Sequence, residues 1–282
     1  MTEHTLTIDS ISYHILLSGP QDQHAPTILL THALMSNLHM WDSTVASLNQ
    51  ANYRTIRFDH IGHDRTPPPP EATHSYTTDD ITRHMHAIAS HLSPGGLKAV
   101  IGCSIGGVLA LRYAMLYPSQ VEIAISLCAP GIKSPEHTED LWTQRIAQFE
   151  ADLASGDDSL CHATVQRWLP GDGAGDEAAR REALGHVRTC SLKGYRLLAD
   201  AIRGFDYSEQ LEREGLGDVK CVIVAGGRDT ASSVEALEEV AATIRKSASP
   251  QAAEFVLMQD AGHIPPMHCP KEFEEVLLAA LR

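Results

Sequence analysis

Lys98-Ala99-Val100-Ile101-Gly102-Cys103-Ser104-Ile105-Gly106-Gly107 decides how the chain is read. An apolar, β-prone run ends abruptly in a serine set between glycines. A run of helix formers, Val108 to Tyr117, follows at once, and Pro118 stops it. The pattern predicts a strand, a very tight corner and a buried helix, with Ser104 at the apex. Gly102, Ser104 and Gly106 fit a G-x-S-x-G corner, in which a serine sits on a strained strand-to-helix turn. A Cβ two positions to either side of such a serine would meet other backbone, which is the steric reason for the glycines. The turn lifts the hydroxyl off the sheet and aims the first helical N–H groups at the same space.

Outward from this corner the chain alternates. Residues 5–17 carry Leu6, Ile8, Ile11, Tyr13 and Ile15 at strand spacing and predict an opening hairpin. After a polar connection from Gly19 to Pro26, Thr27–Thr31 is a short apolar run suited to a strand buried on both faces. Trp41, Val45 and Leu48 mark a helix, and Tyr53–Asp59 a further strand. Prolines 67–70 predict a stiff surface loop, and Thr77 or Thr78 caps a helix carrying Ile81, Met85, Ile88 and Leu92 on one face. Val121–Leu127 is the sixth strand. From Gly131 to Gln210 only helical patterns appear, around the loop Pro170-Gly171-Asp172-Gly173-Ala174-Gly175. Strands then resume at Val219–Ala225 and Ala253–Met258, with helices marked by Val234, Leu237, Ala241 and Ile244, and by Phe273, Val276, Leu277, Ala280 and Leu281. The expectation is an α/β protein: a mostly parallel sheet with helices on both faces, formed by residues 1–130 and 211–282, and a helical cap inserted as residues 131–210 after the sixth strand.

Composition narrows the function. The chain has 282 residues, 43% of them hydrophobic and 21% charged, enough for one large core. A net charge of −14 argues against nucleic acid as a partner, since no basic patch is present. No apolar run approaches the roughly 18 residues of a membrane span, and the N-terminus lacks a basic start and an apolar core, so no membrane partner and a cytoplasmic location are expected. The six cysteines, at 103, 128, 161, 190, 221 and 269, form no C-x-x-C pair and read as reduced, mostly buried thiols. The sixteen histidines, including His60 with His63 and His84 with His86, show no metal-ligand spacing and read as surface and loop residues. No metal and no organic cofactor is expected.

Two later strand ends supply what a serine nucleophile needs. Gly226-Gly227-Arg228-Asp229-Thr230 follows one strand and Asp260-Ala261-Gly262-His263-Ile264-Pro265 another. Loops past the carboxyl ends of parallel strands share one crevice. His263 would take the proton of Ser104 and return it to the leaving group, and Asp229 would fix the imidazole tautomer. The order Ser, Asp, His suits a nucleophile-elbow hydrolase. Asp260 is a rival acid three residues from His263 that reads as shaping its loop, and Glu235 reads as helix surface. The backbone N–H groups of Leu34 and Ile105 are the expected oxyanion donors.

With these residues in place, the chain resembles the α/β-hydrolase superfamily over essentially its full length. Leu34-Met35-Ser36-Asn37-Leu38-His39-Met40-Trp41-Asp42 is similar to the segment after the third strand of 3-oxoadipate enol-lactonases. Asp59-His60-Ile61-Gly62-His63-Asp64-Arg65-Thr66 resembles the D-x-R-G-H-G-x-S turn of that group. Trp142 with Arg145-Ile146, Gln166-Arg167-Trp168, Gly194-Tyr195 and Ala201-Ile202-Arg203 resemble its cap signature. Ala33, Met35, Ile61 and Asp64 depart from the family pattern, and Met35 reshapes the acyl pocket. The resemblance implies hydrolysis of a small carboxylic ester or lactone through an acyl-enzyme. It implies a pocket lined by His32, Met35, Trp142, Arg145, Arg167 and Trp168, with the arginines as cations for an anionic substrate. A small-molecule ester or lactone is the expected partner, and a homodimer stays open. Two other readings use the same fold: a ligand-binding receptor with a slow or silent triad, and a carbon–carbon bond hydrolase of a diketone.

Overall fold

A computed structural model describes residues 1–22, 24–69, 75–135, 138–247, 249 and 252–282. Eight strands form one sheet: β1 (Thr2–Ile8), β2 (Ile11–Ser18), β3 (Thr27–Thr31), β4 (Arg54–Phe58), β5 (Leu97–Cys103), β6 (Val121–Leu127), β7 (Lys220–Gly226) and β8 (Ala253–Met258). Their order is β1-β2-β4-β3-β5-β6-β7-β8. β1 and β2 make the expected hairpin, β2 runs antiparallel to β4, and every later pair is parallel. β3 and β4 have no exposed residue: β3 buries Ile28, Leu29 and Leu30, while β4 buries Arg54 and Arg57 beside Ile56 and Phe58. Register aligns the carboxyl ends. Thr31 pairs with Gly102, Cys103 with Leu127, Leu127 with Val224 and Gly226 with Met258, so the loops after β3, β5, β7 and β8 open on one edge.

Helices cover both faces. α1 (Asp42–Gln50) packs on β4 and on α11 (Pro270–Ala280). α2 (Thr78–Leu92) starts in a capping box, in which Thr77 Oγ1 accepts from Asp80 N–H and the Asp80 carboxylate accepts from Thr77 N–H. Its buried Ile81, Met85 and Ile88 face α3 (Ile105–Leu116) and β1. α3 is buried at every position from Ile105 to Ala114, apolar except at Arg112, which pairs with Asp79, and at the phenol of Tyr113.

Between β6 and β7 lie α4 (Glu139–Ser155), α5 (Ser159–Trp168), α6 (Ala174–Val187), α7 (Leu192–Arg203) and α8 (Ser208–Glu214). α4 packs on α5 and α7, and α5 on α6. α6 also touches the short helix α10 (Pro265–His268). α8 leaves this group and packs against α9 (Val234–Ser247), beside β7 and β8. The prolines near 67 do not all lie on the surface: Pro69 is buried and its carbonyl accepts from Lys193, while Pro70 falls outside the described residues. No described helix is long and apolar enough to cross a membrane.

The corner after β5 shows why glycines stand there. A Cβ on Gly102 would lie 1.9 Å from the Gly106 carbonyl oxygen, and one on Gly106 would lie 2.4 Å from that of Thr31. Gly95, at a turn before β5, has open space around it. Gly102→Ala is therefore expected to lower stability by about 3 kcal/mol or more. Gly95→Ala should change it by less than about 0.5 kcal/mol. Denaturant midpoints of the two variants against the parent check this.

Candidate active site

Ser104 sits where β5 ends and α3 begins, with φ 59° and ψ −121°. Non-glycine residues rarely occupy positive φ, and such strain persists where surrounding structure holds it. Here Ser104 N–H donates to Leu127 O at 2.8 Å, and Ser104 O accepts from Gly107 N–H at 2.9 Å. The amide of Ile105 is the first of α3, so it lies at the positive end of the helix. Across from it, the loop after β3 turns at Ala33–Ser36. Among the described residues, neither Leu34 N–H nor Ile105 N–H is bonded within the protein. Both residues line the same pocket as Ser104.

Asp229 follows β7. Its Oδ2 lies 2.9 Å from His263 Nδ1, and both side chains are buried. Oδ1 accepts from Ala231 N–H at 2.7 Å. Burial alone would raise the Asp229 carboxyl, but the His263 charge and hydrogen bond and the Ala231 and Ser232 amides outweigh it and hold it below 3.8. With the carboxylate on Nδ1, that nitrogen carries the proton and Nε2 is left as the base. Glycines bring the two loops together: a Cβ on Gly226 would lie 2.4 Å from Gly262 O, and one on Gly227 2.4 Å from Gln259 O. Asp260, the rival acid, is exposed, as is Glu235.

The helices between β6 and β7 reach into the same centre. Trp168 O accepts from His263 N–H at 2.8 Å, and the Trp168 ring lies over the His263 ring at 6.2 Å and 29°. The pocket holds about 160 Å³ and is lined by Leu34, Met35, Ser104, Ile105 and His263 below and by Trp142, Arg145, Arg167, Trp168 and Tyr195 above. Among the described residues, no acidic side chain lines it. Burial, and then the neighbouring Arg145, pull Arg167 down to about 10, and its Nε is buried without a partner. Burial also lowers Arg145, whose guanidinium lies 5.2 Å from the centre of the Trp142 ring. Burial pushes the Tyr195 phenol up to about 12, so it stays a hydrogen-bond donor.

One expected pocket residue is misplaced. His32 is wholly buried beneath the loop: Nδ1 donates to Ala33 O at 2.8 Å and Nε2 accepts from His60 N–H at 2.9 Å, so neither nitrogen is free for substrate. The reading of the histidines as surface residues also fails. His14, His32, His60, His63, His84 and His263 are buried: the rings of His32, His60 and His63 bond backbone groups, and those of His14, His84 and His263 bond side chains. His14, Asp59 and Asp64 place ligand-type atoms within 4.8 Å of one another. They form a structural network instead: His14 Nδ1 donates to Asp59, His14 Nε2 accepts from Arg65, and Asp59 accepts from Leu38 N–H. Tyr195, Thr164 and the Ala231-Ser232 segment also line the pocket. Sequence reasoning missed them as site residues, although Tyr195 stood in a quoted motif.

The sequence profile of the alpha/beta hydrolase fold family matches residues 26–268, and the chain belongs to that family. A proline iminopeptidase, PfmaB, of Pestalotiopsis fici is 25% identical over 267 residues, 88% of each chain. An AB hydrolase superfamily protein of Gibberella zeae is 33% identical over 123 residues, 44% of this chain and 40% of that one. Among solved structures, the enol-lactonase of Burkholderia xenovorans LB400 superposes with a TM-score of 0.84 at 21% identity, covering 99% of both chains. An esterase of Thermogutta terrifontis superposes with 0.83 at 18% identity, over 100% of this chain and 98% of the other. At these identities the structural likeness establishes the fold.

The depressed Asp229 carboxyl has a pH consequence. A folded value below the ordinary 3.8 means that ionised Asp229 stabilises the fold fully above 3.8 and that this contribution is lost as pH falls through the folded value. Asp229→Asn should therefore be less stable than the parent near neutral pH, and the gap should narrow as pH drops below 3.8. Denaturation at a series of pH values reads the difference.

Proposed function

We propose that the protein is a serine hydrolase that cleaves a small carboxylic ester or lactone carrying a second, anionic group. The observation that carries this reading is the pocket itself. Ser104 and the Asp229-paired His263 stand on its floor, and two arginines with no carboxylate partner among the described residues stand on its other side. We take residues 131–210 as a cap over a core of 1–130 and 211–282, so the catalytic groups come from the core and the cations from the cap.

Ser104 Oγ attacks the carbonyl carbon while His263 Nε2 takes its proton. The carbonyl oxygen becomes an oxyanion held by Leu34 and Ile105 N–H. As the tetrahedral intermediate collapses, the carbon–oxygen bond to the leaving group breaks and His263 gives that oxygen the proton. A water then repeats the sequence on the acyl-enzyme, losing its proton to His263 and releasing the acid and free Ser104. Ionised Asp229 steadies the imidazolium formed in each half. Each amide donor is worth on the order of 3 kcal/mol in the transition state. No step calls on a metal or an organic cofactor.

The arginines favour an acid on the substrate. Arg145 lies over Trp142, and Arg167 has a buried Nε that a carboxylate would satisfy. Arg presents a planar fork that binds carboxylates in two-bonded fashion. Trp142 and Trp168 supply the apolar walls for a short carbon skeleton between the two ends.

The test compares two aryl esters of equal length, one ending in a carboxylate and one in a methyl group. Ser104→Ala should lose turnover of both by at least about 10⁴-fold. Arg167→Leu should raise KM for the acidic ester roughly tenfold or more and leave the neutral one within about threefold. Equal turnover by the parent and Ser104→Ala would sink the hydrolase reading. Equal effects of Arg167→Leu on both esters would sink the anionic-substrate part of it.

A further inference from the structure

We propose that His63 is a positioning residue for the oxyanion hole: its neutral imidazole fixes the turn that presents Leu34 N–H, and Cys190 ties that hold to the helices above the pocket. The inference rests on the serine-hydrolase reading and concerns a residue that no chemical step uses.

The turn is Ala33-Leu34-Met35-Ser36, closed by Ser36 N–H to Ala33 O at 3.0 Å. Met35 stands at its third position with φ 69°, a conformation that favours glycine in such turns. A buried side chain stays there only if something holds the peptide between Leu34 and Met35. That hold is Met35 N–H donating to His63 Nε2 at 3.1 Å. For Nε2 to accept, the proton must reside on Nδ1, which lies 3.0 Å from Ile61 O and donates to it. The ring is wholly buried, which brings its pKa down to about 4, so it stays neutral at ordinary pH. Without an acceptor at Nε2, the Leu34–Met35 peptide would be free to rotate. Met35 would return to negative φ, and the turn that aims Leu34 N–H would be lost.

Cys190 adds the second half. Its Sγ lies 3.3 Å from the same Nε2, and burial keeps the thiol protonated, with its proton donated to Ser191 O at 3.5 Å. Cys190 directly precedes α7, and the neighbouring backbone is docked on the turn that carries His63. Ser191 N–H and Oγ both donate to Gly62 O, at 2.9 and 2.8 Å, and Asp64 N–H donates to Thr189 O at 3.2 Å. A Cβ on Gly62 would lie 2.3 Å from Gly194 Cα, so the two segments touch backbone to backbone. His63 thus stands between the start of α7 and the oxyanion loop, with Nε2 bonded to Met35 N–H and in contact with Cys190 Sγ.

The experiment uses His63→Leu, which removes the acceptor, and His63→Gln, whose Oε1 can accept where Nε2 did. Each is assayed with a short aryl ester and with an alkyl trifluoromethyl ketone. Ser104 Oγ adds to the ketone carbonyl and gives its proton to His263, and the ketone oxygen becomes the oxyanion of a hemiketal. The expected result for His63→Leu is a kcat lowered about tenfold to a hundredfold, a KM within about threefold, and ketone affinity weakened in step with kcat. His63→Gln should recover most of both. A His63→Leu variant with parental kcat, or with lowered kcat but parental ketone affinity, overturns the proposal. A parent that fails to capture the ketone overturns the hydrolase reading and this inference together, whereas equal capture by parent and His63→Leu overturns this inference alone. Should His63→Leu fail to fold, nitrogen NMR of the parent still decides: His63 protonated at Nδ1 and bare at Nε2 near neutral pH is expected, and the opposite tautomer overturns it.

Discussion

Ser104 occupies a backbone position that costs of order 1–3 kcal/mol, and the packing that tolerates it constrains the centre of the sheet. Its φ of 59° turns the chain from β5 into α3 within one residue. That corner fits only where the flanking positions lack side chains, since Gly102 and Gly106 meet at distances no Cβ survives. Gly106 in turn lies against the end of β3, whose Thr31 pairs with Gly102. The loop after β3 must therefore leave directly beside Ser104. One strained residue thus sets the spacing between β3, β5 and α3, and with it the separation of the two amides that would receive an oxyanion.

The helices between β6 and β7 do more than roof this centre. The carbonyl of Trp168 holds the His263 amide, and its ring lies over the imidazole. His268 Nδ1 accepts from Gly262 N–H at 2.7 Å while Nε2 donates to Asp176 of α6. Beneath them, the backbones of Gly62 and Gly194 are in contact at the start of α7. A cover that swung away as a rigid lid would have to break these bonds and release the loops that carry His263 and Leu34. Motions that admit substrate are better sought in α4, whose Leu141 and Leu153 are exposed and whose contacts run to α5 and α7 alone among the principal helix pairs.

Much of this was legible in the sequence, for a physical reason. Strands buried on both faces must be apolar runs, and the groups that do chemistry must leave the ends of such runs, so Ser104, Asp229 and His263 stood out at strand ends. The capping box at Thr77 and the glycines at the corner were equally local, and local signals survive in a single sequence. What failed was non-local. His32 looked like a pocket residue because it ends β3, yet both of its nitrogens are taken by Ala33 and His60. His63 and Cys190 are far apart in the chain, and no spacing rule announces that one imidazole will accept from Met35 N–H and lie against a thiol. Pro69 looked exposed because prolines mark loops, but it is buried and its carbonyl accepts from Lys193 of α7. A buried histidine resembles a surface one until its partners are known, since the same side chain satisfies backbone donors and acceptors by choosing a tautomer.

The charge distribution bears on why the pocket is built as it is. The chain carries 36 acidic and 22 basic residues among Asp, Glu, Lys and Arg, so acids are plentiful. Exposed arginines elsewhere take them: Arg188 pairs with Asp158, Arg196 with Glu150 and Arg213 with Glu214. Arg145 and Arg167 face each other's charge instead, in a pocket with no acidic lining among the described residues. Burial and mutual repulsion both disfavour their charged forms, and at about 10 Arg167 is still a cation near neutral pH. Replacing either by an apolar residue of similar size would relieve that repulsion, so the folded state gives no full reason to keep both, despite the Trp142 ring beside Arg145 and the attraction of Tyr195 and Asp229 for Arg167. A ligand bearing a carboxylate does give one. It supplies the missing counter-charge, and its bonds to Arg167 would satisfy the Nε that the protein leaves unpaired.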